Sequence, residues 1–248
     1  MASTPPADPF AALLALEGVP SAYAAARDGI DVLLRDRGLR RTTPEDTIEA
    51  MLRGAHASAA LDGSTASLED LRRATGDETA LASLRISTEL LALVPQLTRS
   101  PLQVFARLHT LAARGTVPDD ELGRPRLDPQ VSPRLDLLCR LVTGGSRVPA
   151  PILAAVAHGE LLAVAPFGSA DGVVARAVSR LVTIASGLDP HGLGVPEVYW
   201  MRRSADYRAA AAGFAAGTEQ GLTDWLVLSC RALQEGAREA IAIADLKK

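Results

Sequence analysis

Apolar residues recur along most of the chain at the i, i+3, i+4 spacing of a single helix face. From Ser21 to Arg37, Tyr23, Ala26, Ile30, Leu33 and Leu34 share such a face, and Gly38 stands where a left-handed C′ residue belongs. Thr42-Thr43-Pro44-Glu45 offers a capping hydroxyl, a proline for the first turn and an early acid, so a helix is predicted from there to about Leu61, closed by Gly63. Ser67-Leu68-Glu69-Asp70 opens a short helix ending near Thr75-Gly76. Glu78 to Leu97 is helical, with Pro95 disturbing its end, and Ser100-Pro101 starts another that runs to Gly115. Pro118 to Pro133 is rich in proline and is the one stretch suited to a short hairpin. Helical spacing resumes from Arg134 to Val142 before Gly144-Gly145. It continues after Pro149 and Pro151 through Ile152, Ala155, Val156 and Leu162, and then through Val174, Ala177, Val178, Leu181, Val182 and Ala185 to Gly187. Pro196 begins a segment with Tyr199, Trp200 and Tyr207. Gly217 to Gly221 is read as a turn, and Leu222 to about Ala244 as the last helix.

These segments predict an all-α fold of roughly eight to ten helices with one short hairpin. With no repeat and no shift in composition, the chain is read as one domain over residues 9–248 after a loose tail, 1–8. Of its 248 residues 48% are hydrophobic but only 4% aromatic, so Ala, Leu and Val must fill the core, as in closely packed helices. A net charge of −3 argues against nucleic acid or an anionic membrane as partner. Arg35, Arg37, Arg40 and Arg41 are read as a solvated loop rather than a phosphate-binding patch; with Arg202, Arg203 and Arg208 they are the residues a nucleic-acid-binding reading would use, which the acidic net charge disfavours. Cys139 and Cys230 have no metal spacing and are read as small core residues. The N-terminus lacks a secretory pattern, and no apolar run reaches the roughly 18 residues of a membrane span, so the expected location is cytoplasmic.

The stretch with candidate chemistry is Ala165-Pro-Phe-Gly-Ser-Ala-Asp-Gly-Val-Val-Ala-Arg176, set between two strongly helical segments. Its small residues suit a helix N-terminus, where free backbone N–H groups attract anions. With its flanks it resembles the signature of the Fic (Fido) family, His-x-Phe-x-Asp/Glu-Gly-Asn-Gly-Arg-x-x-Arg. Leu122-Gly123-Arg124-Pro125-Arg126 is similar to the start of that family's flap, within 118–133. Ser58-Ala59-Ala60-Leu61-Asp62-Gly63 is similar to its inhibitory pattern Ser/Thr-x-x-x-Glu-Gly/Asn, on a helix over about 45–61. Tyr199 to Tyr207 and Asp224-Trp225-Leu226 resemble its C-terminal helices. The resemblance covers residues 45–235 in order.

It implies a helical bundle of a kind that mostly transfers AMP from ATP to a protein hydroxyl. In that chemistry a histidine takes the hydroxyl proton, backbone amides cradle phosphates, an acid holds Mg²⁺, and arginines neutralise charge. Taken position by position, Ala165 stands for the histidine and Ser169 for the metal acid. Ala170 replaces the first glycine, Asp171 the asparagine and Val173 the first arginine. Pro166, Phe167, Gly172 and Arg176 match. Loss of a general base alone removes about 10²–10⁴-fold in rate. His109, His158 and His191 lie off the motif and are read as structural.

The expectation is an inactive Fic-like domain with no catalytic residue, no metal and no cofactor, acting in regulation or as a scaffold through protein partners, with a homodimer among the assemblies it allows. Ser58, Asp62 and Gly63 form the inhibitory-type motif, with Asp62 meeting Arg176. Gly123, Arg124 and Arg126 are implied to receive a peptide by strand addition. The alternative is altered chemistry or a small ligand at Ser169, Asp171 and Arg176.

Overall fold

The computed structural model describes residues 10–36, 43–126 and 128–245. The expected tail, the basic link at Arg37 to Arg41, Thr42 and the two lysines lie outside the described residues. Within them are eleven α-helices: α1 (Val19–Arg35), α2 (Pro44–Leu61), α3 (Leu68–Arg72), α4 (Glu78–Leu97), α5 (Pro101–Ala113), α6 (Val131–Arg140), α7 (Ala150–Val164), α8 (Asp171–Ala185), α9 (Pro196–Arg202), α10 (Ser204–Ala216) and α11 (Glu219–Asp245). A 3₁₀ turn at Ala11–Ala15 precedes them, and α6 ends in a π turn, Leu141–Gly145.

Helices α7 and α8 form the centre. The α7 sequence is apolar on every side, and a helix without a polar face must be enclosed. Every residue of α8 from Val173 to Ile184 is buried. The two pack on each other; α4 and α5 cover α8, while α10 and α11 cover α7. Helix α1 lies along α11, and α2 rests on α4, α9 and the start of α8. Local signals set the ends. Thr43 and Asp46 form a capping box at the start of α2, and Ser67 and Asp70 form one at α3. Pro95 falls in the last turn of α4, which continues past it to Leu97.

The segment after Pro118 differs from the hairpin expected there. It runs through consecutive turns, and the described residues contain no strand, only an isolated bridge between Arg114 and Val117. Pro125 and Pro129 each remove a ladder donor, and α6 takes the segment's last residues, beginning at Val131.

The aromatic residues are few but concentrated. Trp200, Tyr207 and Trp225 surround the fully buried His158 of α7, with ring centroids 4.7, 5.7 and 4.9 Å from its own. Trp225 donates its indole N–H to the Ala155 carbonyl at 2.8 Å. Gly159 makes this approach possible, because a Cβ there would lie 2.8 Å from the Phe214 ring and from Trp225 Nε1. Gly159→Ala should therefore lower stability by about 1–3 kcal/mol through overpacking, read as an earlier midpoint in urea unfolding.

Candidate functional site

The chain leaves α7 through Ala165 at φ 43° and enters α8 through Ala170 at φ 52°. Left-handed backbone disfavours any residue with a Cβ by about 1–2 kcal/mol, so the surroundings must hold this loop in shape. Asp171, the first residue of α8, turns back and accepts from the Phe167 amide at 3.0 Å and from the Gly168 amide. Burial raises its carboxyl above the ordinary range, against the pull of those amides and of the Arg126 charge. Arg126 crosses from the flap. Its backbone N–H bonds the Pro166 carbonyl at 2.7 Å, and its guanidinium bonds the Val164 and Ala165 carbonyls at 2.9 and 3.1 Å. A cation there satisfies the last carbonyls of α7.

A residue off the motif completes the loop. His109 of α5 is 1% exposed and stacks on Phe167 in parallel, 4.3 Å between centroids. Its Nδ1 accepts from the Gly123 amide at 2.9 Å, and its Nε2 lies 2.9 Å from Ser169 Oγ. An N–H can bond only to an unprotonated ring nitrogen. The hydrogen of the neutral ring is therefore on Nε2 and is donated to Ser169. The tautomer is the reverse of the one a serine nucleophile requires, in which Nε2 keeps its lone pair to take the hydroxyl proton.

Below the loop, Arg176 is 2% exposed. Its Nε bonds Ser58 Oγ at 2.7 Å and its Nη2 the Ser58 carbonyl at 3.0 Å, while Nη1 reaches Tyr207 Oη at 3.3 Å. Nη2 also pairs with the Asp62 carboxylate at 2.7 Å, and Asp62 itself is 28% exposed. The short aspartate reaches because α2 ends directly against α8: a Cβ at Gly172 would lie 2.8 Å from both of its oxygens. Gly63 follows at φ 92° in the turn that ends α2. Tyr207 Oη also shares a hydrogen bond with His158 Nε2 at 2.9 Å, and Nδ1 of that ring has no hydrogen-bond partner. Burial, and then the Arg176 charge, hold His158 well below its ordinary titration range.

The space in front of α8 is a cleft of about 360 Å³. Asp62, Glu78 and Asp171 stand in its wall with Thr79 and Thr116, and no lysine or arginine does. Val173 is buried in the core. Of Ser169, Asp171 and Arg176 only Asp171 lines this cleft: Ser169 faces His109, the Asp171 carboxylate is bonded to the loop amides, and Arg176 faces α2. Gly123 and Arg126 are engaged by His109 and the loop, and Arg124 is exposed beside them. Among the described residues no group of three or more His, Cys, Asp or Glu is placed to hold a metal ion, and no helix is long and apolar enough to cross a membrane.

No family model matches the sequence, and no curated protein matches it. Solved structures do match its shape. A Fic family protein from Desulfovibrio desulfuricans G20 superposes with a TM-score of 0.77 at 17% identity, over 92% of this chain and 75% of that one. A fragment of Fic-1 from C. elegans gives 0.69 at 16% identity, over 93% and 74%. The fold is the Fic fold.

Within that Fic fold, reading the sequence missed His109 and Tyr207. Neither carries a local signal, since His109 is 60 residues from Ser169 and Tyr207 is 31 from Arg176. Two outcomes follow from the buried network. Asp62→Asn leaves the Arg176 charge buried with only neutral acceptors, and should lower stability by about 1–3 kcal/mol in chemical denaturation. The second concerns pH. His109 and His158 both have folded-state pKa values below the ordinary 6.5. Below about pH 6.5 the unfolded chain binds protons that the folded chain refuses, so stability falls as acid is added. His158, held well below 6.5, should contribute a slope that approaches about 1.4 kcal/mol per pH unit, and His158→Gln should remove that share in denaturation curves between pH 7 and 5.

Proposed function

We propose that this chain is a Fic-like domain without AMP-transfer activity that works by binding a protein partner. The observation that carries this reading is the charge of the cleft. Asp62, Glu78 and Asp171 stand in its wall with their carboxylates engaged by Arg176, Arg85 and the loop amides, and among the described residues no lysine or arginine lines it to meet a triphosphate. The resemblance in sequence supports it further. The position of the general base is Ala165, and the position of the metal acid is Ser169, whose oxygen accepts a hydrogen bond from His109. The first motif arginine is Val173, and the second, Arg176, has its donors committed to Ser58, Asp62 and Tyr207.

On this reading α2 is the inhibitory-type helix. Its contact with Arg176 serves as a fixed closure of the cleft and a platform for a partner. Ser58 supplies two of the acceptors for that arginine, so the helix stays docked when Asp62 is altered.

Nothing in the loop favours a serine-based reaction, because the His109 tautomer offers Ser169 a hydrogen instead of a lone pair. Calorimetric titration with ATP and Mg²⁺ tests the proposal. No heat of binding is expected up to millimolar nucleotide, and no label from the α-phosphate should pass to the chain or to added protein. Micromolar affinity, or transfer of AMP, overturns it.

A further inference from the structure

We propose that His109 is an acid-sensitive latch that holds the flap closed over the loop, and that a second proton on its ring releases the flap segment around Gly123 to Arg126. The inference rests on one imidazole joining three parts of the fold. Helix α5 carries it, Phe167 and Ser169 of the loop lie against its face and its Nε2, and the flap is tied to its Nδ1 by the Gly123 amide. Gly123 is pressed onto α5 so closely that a Cβ there would lie 2.8 Å from Thr110 Oγ1 and 2.9 Å from the Ala106 carbonyl.

The chemistry of the ring makes the tie conditional. Neutral His109 has one acceptor nitrogen, and the flap uses it. A doubly protonated ring has two donors and no acceptor. The Gly123 N–H would then point at another N–H, and the bond is replaced by repulsion in a site with little water. The bond from Nε2 to Ser169 and the stack on Phe167 survive protonation, so the disturbance falls on the flap and not on the loop.

The charged groups around the ring have other engagements. On the loop, Asp171 is bonded to the Phe167 and Gly168 amides. On the flap, Arg126 is bonded to the Val164 and Ala165 carbonyls, and Glu121 and Arg124 are exposed. On α5, Arg107 pairs with Glu89 of α4, and on α4 Arg85 pairs with Glu78 and bonds the Leu111 carbonyl. Burial is the cause of the ring's lowered pKa, so the latch is shut at neutral pH and opens only below the ordinary imidazole range.

Release has a functional side. The Arg126 amide is spent on Pro166, so in the closed state this part of the flap has no free edge for peptide pairing. Opening would return the Gly123 donor to the surface. The proposal does not depend on the loop being inactive.

The test is a titration of the whole chain by NMR, following the His109 ring carbons and the amides of residues 122–126, with hydrogen exchange corrected for its intrinsic pH dependence. The ring and the Gly123 amide should titrate together at a midpoint below 6.5. The corrected exchange of Gly123 should rise by up to about tenfold for each pH unit as the pH falls toward that midpoint and level off below it, in step with the protonated fraction. In His109→Gln the flap amides should lose this pH dependence. In His109→Phe, which keeps the stack and has no acceptor, they should exchange fast already at neutral pH. A Gly123 amide that ignores the ring's titration in the unaltered chain, or flap amides as protected in folded His109→Phe as in the unaltered chain, overturns the latch.

Discussion

A guanidinium shut away from water must find acceptors for its N–H groups inside the protein, and Arg176 organises four helices by that demand. The arginine stands on α8. Its acceptors come from the last turn of α2 through Ser58, from the residue capping that turn, Asp62, and from α10 through Tyr207. Tyr207 in turn shares a hydrogen bond with His158 of α7. One buried charge thus requires the C-terminus of α2, the start of α8 and the interior of α7 and α10 to meet at a single geometry. Arg180 repeats the device one turn later. It is buried with Glu197 of α9, and Gly54 of α2 leaves room for its guanidinium. Small residues of α2, Gly54 and Ser58 among them, are what lets two arginines lie under it.

Much of this was legible in the residues. Helical periodicity and the signals at Thr43-Pro44, Ser67 and Ser100-Pro101 placed α2 to α5 within a few positions. The pairing of Asp62 with Arg176 was legible because ordered motifs named both ends, and the structure places them 2.7 Å apart. Other features depend on contacts that no local pattern announces. Gly221 reads as part of a turn, yet it lies inside α11, where a Cβ would collide with the Gly213 carbonyl of α10. It is a glycine of close helix crossing, not of chain reversal. The break between α9 and α10 at Arg203 is equally silent in sequence, and separating those two helices raises the count to eleven. The hairpin failed because two prolines withhold the donors that a ladder needs. His109 lies off the motif and reads as structural, and here it is core and junction at once.

Strain in the loop is distributed in the same way. Two alanines hold left-handed backbone at its ends, a conformation that glycine would take without penalty. The loop tolerates them because three separate elements grip what lies between: Arg126 from the flap, His109 from α5 and Asp171 from α8 itself. Such a loop owes its shape to fixed side chains. It can therefore be complete in the absence of any bound molecule, unlike a phosphate cradle whose amides point together and wait for an anion.

The carboxylate of Asp171 takes this one step further. It is bonded to amides only three and four residues before it, so the loop carries its own anion on a tether of a few bonds. A tethered group acts at an effective concentration of about millimolar or more and never diffuses away. A free phosphate or sulfate arriving from solution would have to displace a competitor that is always present. The loop is in that sense permanently liganded, by the chain to which it belongs.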